Sequence, residues 1–391
     1  MQRAQFLFLE SFFGGSHKAF AEGLAKHTTH TIDLITLPAA YWRWRTRTAA
    51  LQFADRVAKL RNAAPPSVDT GARPLRLSEY DGIVATDLMD LGDLRALLAG
   101  PPILLYVHES QSSYPRPDGS PADTDTVMRD VRNAVFADRV LFNSHFHRNH
   151  FLEVATELAA QTPQAGLTPI VASIRDKSDV LYPGCTLSDL SPPDGGPAVP
   201  DSPGGGPAVP DSPLIIWNHR WEYDKNPVPF FRTLKTLSEE GLGFRVAVVG
   251  EQPDYIPREF TDAYTALSGH IVTWGYLERR EDYARLLLSG DIVVSTSMQE
   301  NFGISIVEAA AAGCVPLVPK RLSYPEIIPQ EYHDLCLYTS NAQLVSRLRA
   351  FLTNGVPRPT GLREAMFGYE WSQMSGAYDR ELEALRRLTR H

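Results

Sequence analysis

The sequence predicts an α/β protein made of two parallel-sheet domains with helices wound on both faces. Three observations carry that expectation. Short apolar runs alternate with helical patterns along nearly the whole chain, as repeated strand–helix–strand units require. The alternation stops between 186 and 213, where the chain is mostly Pro, Gly, Asp and Ser, and then resumes. At 391 residues, 43% hydrophobic and 21% charged, the chain is long enough for two cores.

In the first half, strands are expected at 6–9, 31–36, 82–85, 103–107, 139–142 and 180–182, with helices such as 17–26 and 145–160 between them. The interruption contains GGPAVPDSP twice, at 195–203 and 205–213. A tandem copy without apolar periodicity is low-complexity linker. The second series places strands at 214–218, 244–249, 270–274, 291–295 and 315–318. A last helix, 365–390, ends basic and is expected to cross back onto the first domain. The division is therefore 1–183, a linker at 184–213, a second domain at 214–364, and the helix at 365–391. Two such domains face a cleft, and ligands of parallel sheets bind beyond the carboxyl ends of strands. The residues that follow each strand are thus the informative ones.

Composition excludes several classes. A net charge of −8 argues against a protein that coats nucleic acid non-specifically. No apolar run approaches the ~18 residues of a membrane span, and MQRAQFLFLESFFGG is too short in its apolar part for a signal peptide. Cys185, Cys314 and Cys336 are scattered, with no C-x-x-C, which suits a reducing cytoplasm. His145, His147 and His150 lack the partners of a metal site and read as a polar helix face. The charge is uneven, however. Between Tyr41 and Arg76 eight basic residues (Arg43, Arg45, Arg47, Arg56, Lys59, Arg61, Arg73, Arg76) stand against Asp55 and Asp69, a local charge of +6.

Several strand exits carry polar chemistry. After 6–9 comes Glu10-Ser11-Phe12-Phe13-Gly14-Gly15-Ser16-His17. Gly14 and Gly15 permit close backbone approach, and Ser16 suits a helix N-cap; a plain glycine turn remains the alternative. There is no G-x-G-x-x-G and no P-loop, so nicotinamide and ATP are weak candidates. After 103–107 come His108, Glu109 and Gln111. There His108 either bonds a sugar hydroxyl near the reacting centre or is satisfied by loop carbonyls. Asn143 follows 139–142 in the equivalent place, although Asn-Ser is also turn chemistry.

In the second domain, 214–218 leads into Asn218-His219-Arg220 and on to Lys225. Arg as a fork and Lys as a compact charge suit a diphosphate, unless they merely pair with Glu222 and Asp224 on the surface. Gly250 and Glu251 follow the next strand, near a base or ribose, and Tyr276 offers an edge for a base to stack against. The strongest signal is Glu300-Asn301-Phe302-Gly303-Ile304-Ser305-Ile306-Val307-Glu308. If both Glu residues were helical, they would lie about 80° apart. Glu300 is therefore expected on the loop and Glu308 about a turn inside the helix. The free N–H groups of Gly303, Ile304 and Ser305 then point between them: amides for phosphate, carboxylates for sugar hydroxyls. The plainer alternative is a βα unit whose two Glu face water. Jointly these residues outline a site for a nucleoside diphosphate sugar.

Glu300 and Glu308, the Arg220/Lys225 pair and the double α/β layout resemble retaining GT-B glycosyltransferases of family 4. More narrowly, LESFFGGSHKAFAEGLA, LPAAYWRWRTRTAAL, YVHESQSSYP, WNHRWEYDKNP, WGYLERREDY and KRLSYPEIIP resemble the tRNA-queuosine α-mannosyltransferases. The resemblance covers nearly the whole chain outside 186–213. It implies GDP-mannose as donor, the cyclopentene-diol of queuosine in a tRNA anticodon (tRNA-Asp type) as acceptor, and no cofactor or metal. Neither a membrane nor an obligate protein partner is expected. On it, Arg220 and Lys225 hold the diphosphate with the N–H groups of Gly303 and Ile304, Glu300 binds mannose hydroxyls, and Glu308 binds the ribose. Asn218, Gly250, Glu251, Tyr276, Phe302 and Ser305 complete the donor side. His108 faces the sugar from the acceptor side, and Gly14-Gly15 let the first loop approach. His17, Glu109, Gln111 and Asn143 belong to the acceptor side, and attack would come from the front face.

The YWRWRTR run then gains meaning, because Arg43, Trp44, Arg45 and Arg47 can grip phosphates and stack on splayed bases. Its two Trp would otherwise be core. Two further functions stay open: a relative that glycosylates a lipid, metabolite or protein, and a catalytically silent nucleotide-sugar binder.

Overall fold

A computed structural model describes residues 3–62, 75–116, 118–120, 123–161, 163–191 and 212–388. Most of the tandem-repeat segment, Asp69 and Arg73 of the basic stretch, and Arg390 of the expected last helix lie outside these residues.

The first unit holds β1 (Gln5–Phe13), β2 (Thr31–Pro38), β3 (Gly82–Thr86), β4 (Ile103–Val107), β5 (Arg139–Phe142) and β6 (Ser178–Val180). They form one parallel sheet in the order β2-β1-β3-β4-β5-β6. Alternation along β1 divides the core, as a pleated strand must. Leu7 and Leu9 face a layer that includes α2 (Trp42–Asn62) through Ala49 and Phe53. Phe6 and Phe8 face α1 (Gly15–His27) and the Trp371–Leu388 helix.

That last helix is anchored by Trp371. A Cβ on Gly23 would come within 2.2 Å of its ring and one on Gly184 within 2.3 Å, so both positions require glycine. The helix begins later than the 365 expected. Leu362–Met366 is a separate short helix of the second unit, and a 3-10 turn at Phe367–Tyr369 breaks the run.

The second unit holds β7 (Leu214–Asn218), β8 (Arg245–Val249), β9 (Ile271–Gly275), β10 (Ile292–Val294), β11 (Val315–Pro319) and β12 (Leu337–Tyr338). Its parallel sheet runs β12-β11-β10-β7-β8-β9. The two-residue β12 is too short to leave a sequence signal.

Other local expectations need correction. Strand β1 runs past Leu9 to Phe13, pairing Phe13 with Pro38 after a register shift, so Glu10 to Phe13 is strand and not loop. Gly14 takes the cap of α1 and Ser16 lies inside the helix. His147 is fully buried, not part of a polar helix face, because its Nδ1 lies 2.8 Å from Asn143 Oδ1. Among the described residues no helix is long and apolar enough to cross a membrane.

Candidate functional site

Each sheet has one point where the strand order reverses, and parallel sheets bind ligands there. In the second unit it lies between β7 and β10. Lys225, in the turn beyond β7, reaches across that point. Its Nζ donates to Gln299 O at 3.0 Å and lies 3.3 Å from Glu300 Oε2 and 3.1 Å from Asp224 Oδ2. Burial pulls its pKa down, but the Glu300 and Asp224 carboxylates outweigh that and raise it, so it stays an ammonium. Surface pairing therefore fails for Lys225, which is buried, and describes Arg220, whose half-exposed guanidinium is 3.5 Å from Glu222.

The Ile304–Ala312 helix starts beside this pair. Gly303 caps it at φ 99°, a conformation that favours glycine. The first ladder bonds, to Gly303 O, come from Ile306 and Val307, so the N–H groups of Ile304 and Ser305 precede the ladder. Asn218 Nδ2 donates to Ser305 O and to Tyr283 Oη, both at 2.9 Å. Asn218 Oδ1 and His219 Nε2 are buried without a hydrogen-bond partner. His219 is neutral, pushed down to about 3 by burial and by nearby Lys225.

Neither glutamate faces water: the Glu300 and Glu308 side chains are 17% and 14% exposed. Glu308 sits one turn into the helix, as expected, but both its oxygens are engaged. Oε1 accepts from Arg280 Nη1 at 2.5 Å and Oε2 from Tyr283 Oη at 3.2 Å. Burial raises its pKa against the pull of Arg280. The same guanidinium donates to both oxygens of Asp189 (2.7 and 3.2 Å) and to Thr186 O (3.0 Å). Arg280 thus ties Glu308 to the start of the unit. Sequence reasoning missed Arg280 and Tyr283, which lie within a helix (Arg280–Leu288) and after no strand.

Two donor-side expectations change their reason. Gly250 has φ 151°, and a Cβ there would lie 1.9 Å from His219 O, so it is glycine because two strand exits touch. Phe302 is buried with its ring edge-on to Tyr369 at 5.2 Å, and so packs inward. Glu251 is exposed and takes Trp221 N on its carbonyl at 2.9 Å, while the Tyr276 side chain is exposed beyond β9.

In the first unit the order reverses between β1 and β3. Glu10 is completely buried there. Its Oε1 accepts from Phe12 N at 2.8 Å and Thr86 Oγ1 at 3.0 Å and lies 3.2 Å from His17 Nδ1, while Oε2 has no partner. Burial alone would lower the His17 pKa, but Glu10, with Asp87 and Glu109 behind it, reverses that and holds it at about 9. The His17 ring lies 4.1 Å from that of His108. Burial, with His17 and His147 nearby, lowers the His108 pKa well below the usual range, so His108 is neutral. Asp87 Oδ1 accepts from His108 N at 2.8 Å. Burial, reinforced by Glu109, pushes Asp87 up to about 7 against His17. Glu10 and Asp87 were missed as site residues, though Asp87 follows the expected 82–85 strand and the strand-exit rule would have found it.

Asn143, expected to meet the acceptor, holds His108. Its Nδ2 donates to His108 O at 2.8 Å while Oδ1 is turned to His147. Glu109 accepts from Gln111 Nε2 at 3.2 Å and Tyr114 Oη at 2.6 Å. Gly14 is needed for packing, since a Cβ would lie 2.4 Å from Ala39 Cβ, whereas nothing lies within 4 Å of one on Gly15. Among the described residues, Glu10, His17 and His108 bring potential metal-ligand atoms within 4.8 Å of one another.

The basic segment opens α2. Tyr41 and Trp44 are 80% and 65% exposed and Trp42 is also exposed, so these aromatics are not core. The Arg43 guanidinium lies 5.3 Å from the Trp42 ring, Arg45 bonds Gln52 at 2.9 Å, and Arg47 is exposed.

Comparison with known proteins places the chain. Residues 5–185 match the family model of the tRNA-queuosine alpha-mannosyltransferase N-terminal region, and 203–366 that of glycosyl transferases group 1. A Drosophila melanogaster tRNA-queuosine alpha-mannosyltransferase is 35% identical over 346 residues, 88% of this chain and 86% of that protein. Among solved structures, sucrose-phosphate synthase of Thermosynechococcus elongatus matches with TM-score 0.68 and 14% identity, over 98% of this chain and all of that one. Anabaena HepE with UDP and glucose matches with TM-score 0.64 and 15% identity, over 98% and 100%. These structural likenesses bear on the fold alone, which is GT-B.

Proposed function

We propose a function from one premise: the chain belongs to the tRNA-queuosine alpha-mannosyltransferase family, and is a glycosyltransferase. Our reading is that it moves mannose, with retention, from GDP-mannose to the cyclopentene-diol of queuosine in a tRNA anticodon loop. The acceptor is a tRNA of the tRNA-Asp type, and the reaction takes place in the cytoplasm without a metal. The observation that carries the acceptor is the N-terminal family match, which spans the first unit from β1 to Cys185.

In this reading the second unit holds the donor. Lys225 and Arg220 bind the diphosphate, joined by the N–H groups of Gly303, Ile304 and Ser305 at the positive end of the helix. Glu300 takes the mannose hydroxyls and Glu308 the ribose, aimed by Arg280 and Tyr283. Asn218 Oδ1, still without a partner, is offered to a ligand hydroxyl. Gly250, Glu251 and Tyr276 surround the base.

The acceptor hydroxyl forms the new bond to the sugar's anomeric carbon as the bond to the diphosphate oxygen breaks. The hydroxyl proton passes to that departing oxygen. The protein's part is positioning, plus stabilisation of the charge gathering on the diphosphate. Neutral His108 acts as a hydrogen-bonding partner for the sugar, since burial denies it a charge.

The test is a donor panel: GDP-mannose, GDP-glucose, UDP-glucose and UDP-galactose, each with queuosine-containing and queuosine-free tRNA. GDP-mannose should be consumed, and only with queuosine present. Equal consumption of a UDP-sugar would overturn the donor assignment.

A further inference from the structure

We propose that three carboxylates, Glu10 within β1 and Asp87 and Glu109 beyond β3 and β4, form a subsite for a protonated amine. The amine is the one that joins the cyclopentene-diol of queuosine to its base, and Asp87 is the specificity-determining residue. The inference rests on the function proposed above and names the chemistry by which its acceptor is read.

Position comes first. Glu10 lies within β1, paired with Thr36 of β2, while Asp87 follows β3 and Glu109 follows β4. These strands are neighbours in the sheet, and β1/β3 is the reversal point where a parallel sheet binds its ligand.

Charge comes second. Glu10 Oε1 lies 3.2 Å from His17 Nδ1, and Asp87 and Glu109 act electrostatically on the same ring. Glu10 and His17 balance one another, which leaves Asp87 and Glu109. Both oxygens of Glu109 take neutral donors, Gln111 and Tyr114. Asp87 is 5% exposed, and the cation that acts on it is His17. A buried carboxylate without its own cation is costly.

An orphan acceptor comes third, independent of the charges. Glu10 is 0% exposed, its Oε1 carries three contacts, and its Oε2 has none. Buried polar atoms are nearly always paired, so an unpaired one at a ligand-binding point indicates a donor that arrives with the ligand.

The acceptor supplies what is missing. Queuosine carries a secondary amine, protonated at neutral pH, one bond from a ring bearing two adjacent hydroxyls. Guanine at the same tRNA position has neither. A carboxylate subsite for that ammonium would separate modified from unmodified tRNA. Because Asp87 also accepts from His108 N, it would fix the diol relative to His108.

The experiment is a double comparison. Asp87→Asn keeps the shape and an oxygen for His108 N. The two acceptors are queuosine tRNA and the same tRNA with the bridging amine acetylated, hence neutral. Hexose transfer should show KM for native queuosine tRNA rising about tenfold or more in Asp87→Asn, the worth of a charge-assisted bond. Acetylation should cost the wild type at least tenfold more than it costs the variant. The variant should also melt no lower than wild type, since it loses a strained buried charge. Should Asp87→Asn fail to fold, Glu109→Gln must show the same coupling.

Equal acetylation penalties in wild type and variant would overturn the proposal, as would an unchanged KM. Loss of wild-type transfer on chelation would overturn it too, by placing a metal at Glu10, His17 and His108. If the wild type transfers nothing to native queuosine tRNA, the proposed function itself fails, an outcome distinct from all of these.

Discussion

Lys225 Nζ lies 3.3 Å from Glu300 Oε2, an ion pair withdrawn from water that joins the turn beyond β7 to the segment leaving β10. With Asp224 on the other side of the ammonium at 3.1 Å, one cation serves two carboxylates. A diphosphate arriving here would meet a cation already fixed in place.

Lys225→Ala should therefore do two things. It leaves Asp224 and Glu300 uncompensated, which should cost about 3–5 kcal/mol of stability. It should also lower kcat/KM roughly a hundredfold or more through lost charge stabilisation. Urea titration and initial rates measure the two separately; wild-type turnover in the variant would contradict the donor site.

Arg280→Ala acts through Glu308. The guanidinium is 38% exposed, so its stability worth is modest, about 1 kcal/mol. Its effect on donor binding should be larger, because Glu308 loses the partner that orients it. KM for the donor should rise several-fold with a smaller change in kcat. Lysine should not rescue it, since it cannot fork onto Asp189 while holding Glu308.

Gly250→Ala tests the backbone contact at the β7 and β8 exits. The residue is held at φ 151° and its Cβ would come within 1.9 Å of His219 O. The variant should lose about 3 kcal/mol or more. GDP affinity, read by calorimetry, should fall as His219 and Arg220 are displaced.

Stability should decline with rising pH in two windows. Asp87 holds its proton to about 7 in the folded state against 3.8 otherwise, so stability falls as pH rises from about 4 to 7. His17 holds its proton to about 9 against 6.5, so its contribution is full below 6.5 and is lost as pH rises through 9. Unfolding titrations at pH 5, 7 and 9 should show both. Asp87→Asn should flatten the first and His17→Asn the second.

Trp44→Ala should leave stability within about 0.5 kcal/mol, as expected for so exposed a side chain. It should weaken tRNA binding by about 1–3 kcal/mol if a base stacks there. Gel-shift titration and thermal melting of the one variant measure both.

The sequence exposes its secondary structure where apolar runs are short and bounded, as at β3, β4, β5 and β7. It obscures β1, because a buried Glu10 inside a strand looks like the start of a loop. Pairing with β2 and the β1/β3 reversal point are what bury that carboxylate. The Glu300 to Glu308 spacing is legible because a loop and a helix start impose it locally. The partners of Glu308 are not, because Arg280 and Tyr283 reach it from a helix more than twenty residues away. HFHRNH reads as polar surface by composition, yet Asn143 draws His147 inward. Gly14 and Gly250 stand out in the sequence, but only the packing shows that Ala39 and His219 O dictate them.

The most direct measurement is the mass of the modified nucleoside. Purified protein, GDP-mannose and queuosine-containing tRNA are incubated, and the RNA is digested and its nucleosides weighed, with Glu300→Ala alongside. The account predicts one added hexose on queuosine from the wild type and none from the variant. Unmodified queuosine in the presence of wild-type protein, or full modification by Glu300→Ala, would contradict it.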